Sequence, residues 1–370
     1  MSDLALKKSL LSCPGDTIQE NLDFIGMSQA EFAERIGRSV PKLNELIKGK
    51  APITKDTATK LEYVLNIPTS FWLNLERAYQ DELLEVQRME RLKQFEDWVS
   101  SFPLPKLKSL GILPNIRDKA VLAECLLKFF RVASPEQWSK IYHGNSLAFK
   151  IELRHTTEAQ AISVWLRLGE IQAEQIQVEQ FDKKVIRSNL NEFKKISYAH
   201  KKNWLDDLQA LCSSLGVALV YTPCIAKAPI YGATRWLRSN STPLIQMTDR
   251  YKDYASFWFT FYHELGHILY HGKKDIFIDG LDSIKPDIEK ENEADAFASR
   301  MLLKDKDRKD LSSYPKFTEG LILDLSKLYN THPGIIVSQL QRAHKIPYNN
   351  FRLNRLKPKV VFKELKLEHL

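Results

Sequence analysis

Apolar residues recur at three- and four-residue intervals through the first eighty positions, in segments cut short by turn signals: TIQENLDFIG, SQAEFAERIG, SVPKLNELIKG, TKDTATKLEYVLN and IPTSFWLNLERAYQ. That period predicts short amphipathic helices, none long enough to be stable alone. Phe32, Ile36, Leu43, Leu46, Ile47, Leu61 and Leu65 hold the inward positions and are expected to meet in one small core. The pattern reads as a compact five-helix module.

Two of these helices are joined tightly. Gly37 closes SQAEFAERI, Ser39 is placed to cap the next helix, and Pro41 falls in its first turn, where a missing N–H costs nothing. Helix, sharp turn and second helix make a unit that docks its second helix in a DNA major groove. SQAEFAERIGRSVPKLNELIKGK resembles the phage-repressor type of helix-turn-helix, and residues 13–80, with PGD, GKAPIT and SFWLNLERAY, resemble the HigA-type antitoxins. The resemblance implies that Gln29 contacts DNA and braces the recognition helix. It further implies that Val40, Pro41, Lys42 and Asn44 face base edges and that Lys48 sits by a phosphate. Asn suits adenine, and Lys suits guanine or phosphate. Val40 and Pro41 depart from the usual polar readers, and Glu45 would repel a phosphate it faced. Residues 1–80 carry 10 basic and 10 acidic side chains, so tight binding to an operator calls for a homodimer. The alternative is a helical module that binds protein only.

Residues 81–145 continue as amphipathic helix (DELLEVQRMERLKQFEDWV, KAVLAECLLKFF) around a proline-interrupted connector, SFPLPKLKSLGILPN, and read as a spacer or dimerisation segment. TEAQAISVWLRLGEIQAEQ adds another helix. From about residue 205 the period changes. LDDLQALCSSLG is a helix ending in glycine, VALVYTP a β-branched strand, and GATRWLRSNSTPLIQMT a hairpin with SNSTP as its turn. A long helix then runs from Asp253 through HELGHILYH. The fold class expected is mainly α with an α+β part, divided into residues 1–82, a helical middle of 83–204, a third domain of 205–345 and a basic extension of 346–370.

Length and composition narrow the class. A chain of 370 residues with 44% hydrophobic content suits two or three globular domains. The stretch MSDLALKKSLLSCPGD has no apolar leader core, and no run approaches 18 apolar residues, so a cytoplasmic protein with no membrane partner is expected. Four cysteines without a CxxC pair are expected to be reduced thiols. The net charge of +8 favours anionic partners without identifying one.

The candidate chemistry lies in FYHELGHILYH. At about 100° per residue, His263 and His267 stand about 40° apart on a helix and Glu264 falls within the same arc. Two imidazoles one turn apart are a natural zinc pair, and the carboxylate beside the first can act as general base. SFWFTFY before the motif makes the helix apolar elsewhere, and buried His and Glu need partners. Hydrogen-bonded core histidines are the alternative. A metzincin would need Gly and His where Tyr270 and Lys273 stand. The third ligand is instead expected from ENEADAFASRMLL, with Glu293 completing a His₂Glu set and Asp295 or Asn292 orienting a ligand. Glu291 lies about 200° round the helix from Glu293, so only one of the two can face the metal. His271 sits about 12 Å along the axis from His263, too far to share the ion, and is expected to end the helix.

HELGH followed by ENEADAFASRMLL resembles the ImmA/IrrE family of zinc metallopeptidase-like proteins. YGATRWLRSNSTPLIQMTDRYKDYASFWFTFYHELGH and THPGIIVSQLQ extend that resemblance to the subgroup fused to HigA-type modules. It implies a gluzincin-like domain with one zinc on His263, His267 and Glu293, and Glu264 as base. GATRWL would then offer an edge strand to an extended substrate, with Tyr231 and His332 as weak oxyanion candidates. The function implied is a DNA-binding regulator fused to a zinc endopeptidase that cleaves a regulatory protein such as a repressor. The alternative is an antitoxin or autorepressor whose peptidase-like domain binds a cognate toxin or senses a ligand or metal. The extension FRLNRLKPKVVFKELKLEHL has no role in this resemblance.

Overall fold

The computed structural model describes residues 7–8, 10–142, 159–226, 228, 230–237, 241–250, 252–272, 277–279 and 288–363. The chain forms two compact units, residues 1–97 with 117–124 and residues 98–116 with 125–370. The fold is mainly helical with a small sheet, as the sequence pattern leads one to expect.

In the first unit the five expected helices form: α1 (Pro14–Ile25), α2 (Gln29–Arg35), α3 (Val40–Ile47), α4 (Lys55–Leu65) and α5 (Thr69–Lys93). Phe32, Ile36, Leu43, Leu46 and Leu61 are buried together around Trp72, with Ile47 and Leu65 half-buried against them. Ser28 caps α2 by accepting from the Glu31 N–H at 3.2 Å. Gly37 then turns the chain at φ +66°, a left-handed conformation that a Cβ would strain. Ser39 holds the cap position of α3, yet its hydroxyl makes no capping hydrogen bond. Pro41, in the first turn, has no N–H to offer it.

In the second unit, helix α6 (Ala159–Glu174) is buried along nearly its whole length, and α7 (Trp204–Ser214) leads into the sheet. Strands β1 (Ala218–Tyr221), β2 (Gly232–Leu237), β3 (Thr242–Met247) and β4 (Phe277–Asp279) lie in the order β1-β3-β2-β4, with β1 parallel to β3 and the other pairs antiparallel. β2 and β3 form the expected hairpin, although Ser239 and Asn240 of its turn lie outside the described residues. The expectation that GATRWL is an edge strand does not hold: β2 pairs on both sides, and β4 is the edge beside it. The sequence around β4 carries no alternating apolar run to announce that a third partner covers the hairpin.

The sheet separates two helices. Thr234 points to one face, donating to the backbone oxygen of Glu264, and Arg235 to the other, donating to the Leu166 carbonyl and pairing with Glu170 at 3.2 Å. On the Arg235 face Gly169 lets α6 close on β3, because a Cβ there would overlap the Gln246 amide. On the Thr234 face lies α8 (Tyr254–Tyr270), with α9 (Ile288–Leu302) packed along it. Helix α10 (Pro333–Arg342) packs near α8, and the unit also holds helices at Leu104–Ser109, Pro135–Tyr142, Lys183–Ser188, Leu190–Ala199, Asp305–Ser313, Glu319–Tyr329 and Phe351–Asn354. The C-terminal extension is part of this unit. Val360 and Phe362 join its core, Val360 N–H donates to Lys252 O at 3.0 Å, and Lys357 pairs with Asp253 at 3.0 Å. Its residues 364–370 lie outside the described residues. No described helix is long and apolar enough to cross a membrane.

Candidate functional site

Helix α8 begins at Asp253, whose carboxylate accepts from both N–H and O–H of Ser256 at 2.9 Å, and ends at His271. Fourteen of its residues are buried, because the sheet covers one side and α9 another. The helical period brings His263, Glu264 and His267 onto one arc, and all three are buried. Gly266 then sets how near α9 can come. A Cβ there would stand 3.2 Å from both Ala294 Cα and Phe297 Cδ1, a contact that asks its neighbours to give by a few tenths of an ångström, so glycine favours the close approach.

That closeness delivers a carboxylate to the histidines. Nε2 of His263 and Nε2 of His267 are 2.9 Å apart, and Glu291 Oε2 lies 3.1 Å from the first and 3.7 Å from the second. Zinc bonds of about 2.0–2.1 Å in a tetrahedron set donor atoms about 3.3 Å apart, and the three separations bracket that value. The donor chemistry agrees. His263 Nδ1 lies 2.8 Å from Asp295 Oδ1, a carboxylate oxygen that only accepts, so this nitrogen carries the proton and Nε2 presents a lone pair. Three acceptors directed at one point suit a cation there. Burial pulls His267 down to about 4, outweighing the nearby Glu291 carboxylate, which raises it, so the ring is neutral near pH 7. Burial pushes Glu291 up, but its closeness to the two imidazoles outweighs that and lowers the carboxyl to about 2. His263, His267 and Glu291 are a group that could hold a divalent ion.

The third donor brought to this point is Glu291, where Glu293 was expected. Glu293 faces away from the His263–His267 pair and meets His271 Nε2 at 3.1 Å. The physical reason is helical phase. Asp295 orients His263, and the residue one turn before Asp295 on the same face is position 291. The sequence shows that Glu291 and Asp295 share a face at i, i+4, but not that this face turns to the histidines. His271 ends the helix as expected, with His267 Nδ1 at 2.9 Å from its Nδ1.

Glu264 lies against the start of β2. A Cβ at Gly232 would approach its Oε1 to 2.8 Å, so the glycine keeps open the space the carboxylate occupies. The two oxyanion candidates make the following contacts. His332 accepts from the Gly334 N–H at 3.1 Å as the cap of α10 and packs on Tyr254, while the Tyr231 ring lies under the Arg250 guanidinium at 5.3 Å.

In the first unit, Val40, Pro41, Lys42 and Lys48 are exposed on and just after α3, and Asn44 is half-buried. Gln29 opens α2, and its amide donates to Gln19 Oε1 at 2.6 Å, so it is tied to α1 rather than to α3. Glu45 is exposed on α3 as well.

Gly266→Val tests the helix contact. The added methyls cannot fit against Ala294 and Phe297 without moving α9, and Glu291 moves with it. The expected outcome is a loss of about 1–3 kcal/mol in thermal unfolding together with weakened zinc binding. Wild-type Tm and zinc affinity in the variant would show that the contact does not set the site.

The helix-turn-helix family profile matches residues 25–72, and that of the IrrE N-terminal-like domain, Peptidase_M78, matches residues 212–321. The uncharacterized HTH-type transcriptional regulator YddM of Escherichia coli (strain K12) is 36% identical over 83 residues, which are 21% of this chain and 88% of that protein. Among solved structures, an addiction module antidote protein of a HigA family from Coxiella burnetii is 26% identical over 23% of this chain and 92% of its own, with a TM-score of 0.21.

Proposed function

Since this chain belongs to the HTH-type transcriptional regulators and carries an IrrE N-terminal-like domain of the Peptidase_M78 family, we propose that it is an operator-binding regulator whose second unit is a zinc-dependent endopeptidase acting on another regulatory protein. The observation that carries the enzymatic half is the convergence of His263 Nε2, His267 Nε2 and Glu291 Oε2, with the buried Glu264 next to His263 in the chain. His263, His267 and Glu291 would hold the ion. When bound, zinc supplies Lewis acidity toward a peptide carbonyl and makes water acidic near neutral pH. Glu264 takes the proton of the attacking water and delivers it to the leaving nitrogen. Asp295 keeps the His263 proton on Nδ1, so that Nε2 stays available. Among the described residues β4 is the outer strand beside β2, and its edge would receive an extended substrate chain, the role that β2 cannot take. Zinc content of the full chain tests this reading: about one ion per chain is expected, and protein that takes up none after growth and refolding with zinc would overturn it.

The first unit is the operator-binding part in this proposal, with Lys42 and Asn44 facing base edges and Lys48 a phosphate. Asn44→Ala is expected to cost about 1–3 kcal/mol, or about 5- to 150-fold, on an operator recovered by selection from random duplexes, and to relax preference at one base pair. Lys48→Ala should weaken all duplexes alike and lower the salt dependence. Fluorescence anisotropy over a salt series separates the two patterns, and wild-type affinity in both variants would remove α3 from the interface.

One observation favours a second reading. The similarity to YddM spans 88% of that protein within only 21% of this chain, so such a module exists as a nearly whole protein elsewhere. A regulator or antitoxin that needs no peptidase activity, with the second unit docking a toxin or sensing a ligand, is the corresponding function.

A further inference from the structure

The two histidines facing the proposed ion are held from behind in different ways. Behind His263 stands a carboxylate, Asp295. Behind His267 stands another imidazole, His271, and behind that the carboxylate of Glu293. We propose that Glu293 and His271 form a hydrogen-bonded relay that fixes the tautomer and orientation of His267, so that both carboxylates of the ExE pair serve the ion: Glu291 directly and Glu293 through His271. This rests on the reading of His263, His267 and Glu291 as the ligand set.

The protons can be assigned. Between His267 Nδ1 and His271 Nδ1, 2.9 Å apart, there is room for one hydrogen. If it belongs to His271, then a neutral His271 presents a bare Nε2 to the Glu293 carboxylate 3.1 Å away, acceptor against acceptor. The same assignment puts the His267 proton on Nε2, where it faces His263 Nε2 and blocks a cation. If the hydrogen belongs to His267, every group is matched either by a partner or by the proposed ion. His267 Nδ1 donates to His271 Nδ1, His271 Nε2 donates to Glu293, and His267 Nε2 turns its lone pair toward His263 and Glu291. The carboxylate at the far end therefore selects the metal-binding tautomer two rings away. His267 and His271 are buried, whereas the Glu293 side chain is 64% exposed, so the relay begins at the surface and ends at the donor atom.

His271 and Glu293 are positioning residues in this scheme, and zinc competition against a chromophoric chelator on the full-length protein tests it. His271→Leu removes the acceptor and is expected to weaken zinc binding about 10- to 100-fold. His271→Asn puts a carbonyl oxygen near the position of Nδ1 and should restore most of the affinity. Glu293→Gln, on an exposed side chain that the fold does not require, should weaken binding several-fold. The visible spectrum of the cobalt-loaded protein should change in His271→Leu and return in His271→Asn, which a loss of packing alone would not produce. Wild-type affinity in both His271→Leu and Glu293→Gln would overturn the relay, as would an equal loss in His271→Leu and His271→Asn with native circular dichroism. If His271→Leu fails to fold, wild-type affinity in Glu293→Gln overturns it alone. Unchanged zinc binding in Glu291→Ala would instead refute the ligand set beneath it, so the two failures are distinguishable.

Discussion

Glu291→Ala is expected to cost the protein its zinc, whereas Glu293→Ala should leave most of it bound. Glu291 Oε2 stands 3.1 and 3.7 Å from the two Nε2 atoms that it joins, and Glu293 reaches only the ring behind one of them. Outer partners of a ligand are worth about 10–100-fold in metal affinity, so the direct ligand should exceed about 100-fold and Glu293 should fall at or below the lower end. Removing Glu291 also takes away the anion that lies between two buried imidazoles, one of them already held neutral by burial. Metal analysis after dialysis against a weak chelator gives the result directly. The reverse order, with Glu293→Ala losing zinc and Glu291→Ala retaining it, would require α9 to turn by about half a revolution relative to α8. That turn would carry Ala294 away from Gly266, against which it packs. The packing that forms the site therefore also determines which carboxylate enters it.

Glu264→Gln is expected to reduce peptide cleavage by about 10²–10⁴-fold while zinc content, folding and operator affinity remain at wild-type values. The substitution preserves shape, which matters because Glu264 is fully buried and Gly232 fits closely against it. What it removes is the ability to accept a proton from water and return it to the leaving amine. Glu264 belongs to none of the three donors around the proposed ion, and this is why metal binding should survive. The assay uses a pool of extended peptides with the zinc-loaded protein and follows new amino termini. Equal cleavage by wild type and Glu264→Gln would assign the activity to something other than this carboxylate. If the wild type cuts nothing while operator binding persists in both, the regulator without a peptidase step becomes the better account of the chain.

The pattern of apolar positions determined a good deal by itself. A 3.6-residue period, a glycine at a left-handed turn and a proline in a first helical turn are local features, and they define α1 to α5 and the helix-turn-helix without reference to distant residues. The same holds for HELGH on one arc of α8 and for His271 at its end, because spacing along one helix fixes both. The sequence also held that Glu291 and Glu293 exclude each other. Which one faces the histidines depends on the rotation of α9 about its own axis, and that is decided by Gly266 against Ala294, a contact between segments 28 residues apart. The position of β2 inside the sheet was likewise settled by β4, a partner with too short a strand to leave a readable alternation. Local periodicity reports what a segment prefers. Packing between segments chooses among side chains that periodicity leaves equivalent, and here that choice placed Glu291 beside His263 and His267.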